Sequence, residues 1–488
     1  MTTDVTASSV TGAVVAMTLS ESLLAKLIHY GHSRILQHWP TLDADTQRQL
    51  AAQLEETDFA MLQEIYQSAS ATVASATDTS ERIDRAAIPA SVIPQPTTDQ
   101  ERSDWLQAAA IGADLLSQGK VAVITVAGGQ GSRLGFEHPK GMFPIGPVSD
   151  RSLFQIFAEQ IQARRRRHQA EILWMIMTSD ATHQETVDFF RQQNWFGLNP
   201  STVVFFQQGC LPALDGATGE LLLNEDSLLC LSPDGHGGLV AALKNAGLLD
   251  RLRNHGVEHV FYHQVDNPTA ILCDPALIGF HAMQQSQLTT NVVRKVSPTE
   301  RMGVLADVGG RTEIIEYSEL TPEQAARKDC DGRWIFWAGN TAIHVFTREF
   351  LEDLAAGNGR LPLHVARKNV PCLDRAGTFV KPDDPARPNA IKLERFIFDA
   401  LPLAARTLIV EGDRSREFNP VKNRDGADSP ETARQALNRI GRDWLRLAGI
   451  EMPDDQTVEI SPLIALDADE LKQQIASGAV LPTSLFQR

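Results

Sequence analysis

No stretch of this chain reaches the ~18 uninterrupted apolar residues of a membrane span, and no Lys or Arg precedes Lys26. The mildly apolar run Val10–Met17 therefore lacks the basic flank of a signal peptide. Cysteine is scarce. Cys210, Cys230, Cys273, Cys330 and Cys372 are scattered, with no C-x-x-C pair. That spacing suggests neither a zinc site nor a disulfide framework, and it fits a reducing compartment. Basic charge is in deficit as well: 45 Lys and Arg stand against 61 Asp and Glu, a formal charge of −16. Such a surface repels nucleic acid and anionic lipid, so neither is an expected partner. The expectation is a cytoplasmic protein. In an acidic chain a polyanionic ligand needs its own local cations, which makes individually placed Lys and Arg residues informative.

What is present is ordinary for a globular protein: 488 residues, 43% hydrophobic and 22% charged. At about 150 residues per domain, this is one large domain with additions, or two to three domains. The pattern divides the chain into 1–100, 101–424 and 425–488. The first part reads as helical. Ser20 can cap a helix running to Gly31, a second follows Asp43, and a third begins at Thr57. Residues 68–100, rich in Ser, Thr, Ala and Pro, read as a surface linker. From about 105 to 410, apolar runs at 121–127, 171–177, 202–206, 258–265 and 407–410 read as buried strands. Helical stretches such as 152–167, 182–193, 237–254 and 275–286 lie between several of them. This alternation predicts an α/β domain with a mixed, mainly parallel sheet. Gly309-Gly310 between two β-rich runs predicts a hairpin, hence antiparallel additions. In the last part, Ser429-Pro430-Glu431 starts a helix that ends at Gly449, followed by short strands and a final helix in a small C-terminal domain.

The most specific segment is Val121 to Gly141. A buried strand runs into Ala127-Gly-Gly-Gln-Gly-Ser-Arg-Leu-Gly135, followed by Pro139-Lys-Gly141. Glycines let backbone N–H groups approach phosphate oxygens with no Cβ in the way. Arg133 and Lys140 add charge there. A Walker A loop needs Ser or Thr after its Lys, whereas Gly141 follows Lys140. A dinucleotide fingerprint needs G-x-G-x-x-G, which Gly129, Gly131 and Gly135 miss by one position. The loop therefore reads as a phosphate wrap of another kind.

These residues resemble the signature of the UDP-sugar pyrophosphorylases, and most closely the eukaryotic type that acts on UDP-N-acetylglucosamine. Further stretches occur in the family's order. They include Phe205-Phe-Gln-Gln-Gly209, Pro233-Asp-Gly235, Val265-Asp-Asn267, Val296 to Gly303, Glu316-Tyr-Ser-Glu319, Ala338-Gly-Asn340, Ile391-Lys392, Phe418 to Asn423 and Glu459-Ile-Ser-Pro-Leu463. The resemblance covers roughly residues 20 to 470. It implies a Rossmann-like nucleotidyltransferase domain between an N-terminal helical region and a small C-terminal domain. It also implies uridylyl transfer from UTP to a sugar 1-phosphate with Mg²⁺; the oligomeric state stays open between monomer and homodimer.

By that resemblance, Ala127, Gly128 and Gly129 hold the nucleotide, Gln208 and Gly235 contact uracil, and Arg133, Lys140, Lys392 and Lys422 neutralise phosphates. An amide can donate and accept at once, which suits a pyrimidine edge. Strand alternation turns Gln207 and Gln208 to opposite faces, and the choice falls on Gln208. Asp266, at the end of an apolar strand, is the expected Mg²⁺ carboxylate. His236, Gly303, Glu316, Asn340 and Phe398 match the sugar-phosphate pocket. Animal members of the family carry Asn where His236 stands, so the sugar stays open between N-acetylglucosamine 1-phosphate, glucose 1-phosphate and a broader set. A non-catalytic UDP-sugar-binding protein is the remaining alternative; four phosphate cations are more than binding alone needs. The basic run Arg164–Arg167 reads as a solvated face or as charge compensation at a helix end, and His263 as a packed strand histidine.

Overall fold

Each apolar run that reads as a buried strand is one in this computed structural model, which describes residues 19–70, 80–357 and 361–477. The run Val10–Met17 lies outside the described residues. The strands form one sheet in the order Val92–Ile93, Thr407–Glu411, Leu288–Arg294, Ala338–Thr347, His259–Gln264, Val121–Val126, Trp174–Thr178, Val203–Gln207. Neighbours pair parallel except at Ala338–Thr347, which runs antiparallel to both strands beside it. The fold is α/β, with a mixed, mainly parallel sheet.

Side-chain alternation along Val121–Val126 feeds two separate cores. Val121 and Val123 pack with Phe154, Phe157 and Ile161, while Ala122 and Ile124 pack with Leu239, Leu243 and Leu252. A strand covered on both faces must be apolar at every position, which is why it reads as a continuous run. The hairpin is present: Gly309 and Gly310, at φ +63° and +84°, join Val304–Val308 to Arg311–Ile315. Two successive positive φ values are what such a tight turn needs.

The chain divides into two compact units. The first comprises residues 1–75, 210–234 and 363–394. Its helices Glu21–His29, Ser33–His38, Ala44–Glu55 and Phe59–Ser70 place Leu23, Leu27, Leu50 and Leu54 in one core with Leu214, Leu221, Ile391 and Leu393. The helix Ser33–His38 has no counterpart in the sequence pattern, being too short to show a period. Arg34 pairs with Asp215 at 2.9 Å, joining two of the three segments.

The second unit comprises 76–209, 235–362 and 395–488. It contains the main sheet. The stretch 80–100, expected as surface linker, is tied in: Ile83 and Ala86 are buried against Val304 and Ile315, and Val92–Ile93 is the sheet's parallel edge strand. Proline and serine mark a break in helix, not exposure, and a few apolar residues suffice to anchor it. The helical stretch 237–254 is two helices, Leu239–Asn245 and Leu248–Asn254, parted at Gly247 (φ +66°). Ser429 caps Pro430–Leu447. Beyond it the described residues hold no strand, only irregular chain and the helix Ala468–Ala476. The basic run does end the helix Leu153–His168, with Arg166 and Arg167 exposed, but Arg164 is not solvated. Arg164 is 3% exposed and donates to Leu272 O, and Arg167 pairs with Asp467 and Glu470. No helix among the described residues is long and apolar enough to cross a membrane.

Candidate active site

Parallel strands put their carboxyl ends on one edge of a sheet, where ligands of such folds bind. Four neighbouring strands do this here. Val121–Val126 runs into the glycine loop, and Trp174–Thr178 into Ser179. Val203–Gln207 runs into Gln208, and His259–Gln264 into Asp266.

The loop is closed on itself. Ala127 is buried and its N–H donates to Met177 O at 2.7 Å. The Gly128 carbonyl accepts from Ser179 Oγ at 2.7 Å. Lys140 N donates to Gly129 O at 3.1 Å and Gly131 N to His138 O at 2.9 Å. Gly131 must be glycine, because a Cβ there would stand 2.7 Å from Phe136 O. Gln208 Oε1 occupies the space a Cβ on Gly128 would need, so amide and loop are in contact. Gln208 is half-buried and Gln207 exposed.

The cations differ in setting. Arg133 is exposed on the turn Ser132–Leu134 and makes no ion pair among the described residues. Lys140 is half-buried, with Nζ 3.5 Å from Asp266 Oδ2. Val421 N donates to Asp266 O at 2.8 Å, which brings the next residue, Lys422, to the same edge. Its Nζ lies 5.4 Å from the Phe418 ring centre. Asp428 accepts from Lys422 N through its carbonyl, and burial raises its carboxyl above the ordinary carboxylate value.

The expected sugar residues fall in two groups. Asn340 N donates to Gly303 O at 2.9 Å, and a Cβ on Gly303 would stand 2.9 Å from Glu316 Oε1. Separately, the His236 ring stacks on Phe396 at 5.4 Å and lies 5.5 Å from Phe398. Ile397 N donates to His236 Nδ1 at 3.1 Å, so the neutral ring carries its hydrogen on Nε2. Gly235 sits at φ +82°, ψ 169°, a conformation restricted to glycine. Lys392 belongs to the first unit, half-buried on Ala390–Arg395 and close enough to Cys230 to act on its thiol.

His263 donates from Nδ1 to its neighbour's carbonyl, Gln264 O, and accepts at Nε2 from Thr125 Oγ1 at 2.7 Å. Thr125 Oγ1 in turn accepts from Trp174 Nε1. It is a packed histidine, fully buried. Ser179, Asn267, Asn291 and Glu417 were missed by sequence reasoning. Single polar residues inside apolar or turn-like runs carry no periodic signal; hydrogen bonds tie Asn267 and Asn291 to Glu417, and Ser179 to the Gly128 carbonyl.

The family model described as UTP–glucose-1-phosphate uridylyltransferase matches residues 64–474. The chain belongs to this family. Within the uridylyltransferase family it is 35% identical to the UDP-N-acetylglucosamine pyrophosphorylase of Saccharomyces cerevisiae, over 91% of this chain and 95% of that protein. It is 38% identical to the human UDP-N-acetylhexosamine pyrophosphorylase-like protein 1, over 73% of this chain and 75% of the other. Among solved structures, it resembles the UDP-N-acetylglucosamine pyrophosphorylase of Trypanosoma brucei in complex with an inhibitor. That match has TM-score 0.79 and 26% identity, over 94% of this chain and 96% of the other. The glycine loop, Gln208, Asp266 and Lys422 all fall within the stretch that the uridylyltransferase family model matches.

Proposed function

We propose that this chain transfers the uridylyl group of UTP to N-acetylglucosamine 1-phosphate, releasing pyrophosphate. The observation that carries this reading is the meeting of a glycine loop, an amide, two lysines and one carboxylate at a single carboxyl edge. Backbone N–H groups of the loop suit phosphate oxygens, Gln208 suits the pyrimidine edge, and Lys140, Lys422 and Arg133 suit a polyphosphate. In this reading an oxygen of the sugar phosphate attacks the α-phosphorus in line. The new O–P bond forms as the bond from the α-phosphorus to the bridging oxygen breaks, and pyrophosphate leaves with the electron pair. Nucleophile and leaving group are both anions, so positioning and charge neutralisation are required and no side chain has to take a proton.

Asp266 offers one carboxylate, and among the described residues no group of three or more His, Cys, Asp or Glu is arranged to hold a metal. That donor set fits Mg²⁺, which binds through one or two carboxylates together with substrate phosphates and water. Asp266 would hold the ion, whose charge would add to that of the cations at the phosphates. The charge of −16 disfavours nucleic acid and anionic membrane as partners, and five free cysteines suit a reducing cytoplasm.

The names of the relatives favour N-acetylglucosamine 1-phosphate; His236 and the family description leave glucose 1-phosphate as the second reading. A panel of sugar 1-phosphates with UTP, read by pyrophosphate release, separates them. The expected result is a kcat/KM at least about tenfold higher for the N-acetylated sugar, a margin of roughly 1.4 kcal/mol. A preference for glucose 1-phosphate overturns the sugar. Absence of release with every sugar, alongside tight UDP-sugar binding by calorimetry, overturns catalysis in favour of a binding protein.

A further inference from the structure

Beneath the candidate site lies a buried polar network to which the reaction above gives no task. Asn267, Asn291, Thr341 and Glu417 are 4%, 3%, 5% and 9% exposed. Asn267 follows Asp266. Asn291 lies within Leu288–Arg294. Thr341 follows Asn340 at the irregularity where Ala338–Thr347 shifts its register against that strand. Glu417 closes the helical turn before Phe418–Lys422.

Their hydrogen bonds form one connected set. The Glu417 carboxylate accepts from Asp413 N at 2.8 Å and from Asn291 Nδ2 at 3.0 Å. Thr341 Oγ1 lies 2.8 Å from the Asn291 carbonyl and 3.0 Å from Asn291 Oδ1, sharing its one hydrogen between two acceptors, while the acceptor carboxylate of Glu417 faces the NH₂ of the Asn291 amide. The Glu417 carbonyl accepts from Asn267 Nδ2 at 2.6 Å. Asn267 Oδ1 accepts from Asn419 N at 3.2 Å and from Thr269 Oγ1 at 2.9 Å. Two residues further, Val421 N reaches Asp266 O. The approach is close enough that a Cβ on Gly412 would stand 2.6 Å from Glu417 Oε2 and 2.7 Å from Asn291 Nδ2.

A buried polar set of this size is stable only when every member is satisfied, and it then rigidifies what it joins. The groups it joins are informative. One end is bonded to the residue after Asp266, another to the residue after Asn340, and the third carries Lys422 five positions along the chain.

We propose that Asn267 and Glu417 are positioning residues that hold Lys422 in register with Asp266, and that Asn291 and Thr341 extend the same frame to Asn340. The inference rests on the roles given to Asp266 and Lys422 under the proposed function. A carboxylate is an acceptor only, and both its partners are donors. Glu417→Gln would set an NH₂ group against a donor, and Asn267→Ala would release the Glu417 carbonyl and Asn419 N together.

The test is a double-mutant cycle on the full chain with UTP and the preferred sugar 1-phosphate: Asn267→Ala, Lys422→Ala and the two combined. Lys422→Ala is expected to lower kcat by about 10²-fold and Asn267→Ala by about 10-fold. If Asn267 works through Lys422, the double variant is no slower than Lys422→Ala alone. Losses that multiply, to about 10³-fold, overturn the frame while leaving the reaction in place. Full activity of Lys422→Ala instead removes the role on which the inference stands. Should Asn267→Ala fail to fold, as judged by its thermal melt, the cycle of Glu417→Gln with Lys422→Ala asks the same question with the same two outcomes.

Discussion

Lys140 Nζ stands 3.5 Å from Asp266 Oδ2, and the two side chains are only 17% and 15% exposed. One comes from the loop after Val121–Val126, the other from the turn after His259–Gln264, the strand paired beside it. The pair places a cation and a metal-suited carboxylate at one point of the sheet edge before any polyphosphate arrives. Lys140→Ala should lower kcat by roughly 10²–10³-fold, the usual loss when one charge stabiliser of a transition state is removed. Steady-state kinetics checks this. A loss confined to KM would mean that Lys140 contributes ground-state binding only.

Arg133 makes a sharper test, because its side chain holds no other part of the fold among the described residues. It is exposed, without an ion pair among the described residues. Arg133→Ala should leave stability within about 0.5 kcal/mol of the parent and cut turnover by about 10²-fold. Urea unfolding and pyrophosphate release, measured on the same preparation, decide it. Near-normal kinetics sinks the role.

The contrast between these two cations shows what sequence can carry. Strand positions were legible because a strand buried on both faces has no polar positions to interrupt it. The hairpin was legible because Gly309-Gly310 permits few other structures. The order of strands was not, since pairing depends on contacts between distant segments. The antiparallel run of Ala338–Thr347 leaves no mark on its own residues. The first unit was hidden for the same reason: Leu23 and Ile391 share a core across most of the chain. At the site, alternation turned Gln207 and Gln208 to opposite faces, family resemblance favoured Gln208, and the structure sets Gln208 against the loop. The roles of Asn340 and Phe398 came from family resemblance, and Asn267 and Glu417 acquire meaning only through their hydrogen bonds.

Gly128 and Gln208 should behave as one unit. Gln208→Ala removes the amide proposed to read uracil, and should raise the KM for UTP by about 10–100-fold, the loss of one or two hydrogen bonds in a desolvated pocket. Gly128→Ala forces its new methyl into the space of Gln208 Oε1, so it should reproduce much of the same defect with Gln208 still present. Discrimination of UTP against CTP should fall in both. If Gly128→Ala changes kcat and leaves the KM for UTP and the discrimination untouched, the glycine serves the phosphates and not the amide.

Stability should fall as the medium is acidified below about pH 6.5. Burial lowers His263 from 6.5 to about 4, against a smaller opposing pull from the Gln264 carbonyl and Asp266. Burial, aided by His236, lowers His344 to about 3. In both, the folded value lies below the unfolded one. The unfolded chain therefore takes up protons first as pH drops, and the stabilisation present above 6.5 is lost progressively toward the folded values. For His263 the full loss is on the order of 3 kcal/mol. Its geometry gives the reason: Nε2 is the acceptor in the chain from Trp174 through Thr125, and a proton there puts a donor against a donor. Glu417 works the other way. Burial raises its carboxyl from 4.5 to about 7, which favours the folded state on the acid side of that window. Burial raises Asp274, Glu313 and Asp428 in the same direction as Glu417, but the depressed histidines outnumber these carboxyls, since burial lowers His32, His168, His259 and His281 as well. Urea midpoints measured from pH 8 to pH 5 should therefore decline, and His263→Gln should flatten the decline by the share of one proton. A midpoint that is constant or rising over that range would show that these imidazoles do not set the acid limit of the fold.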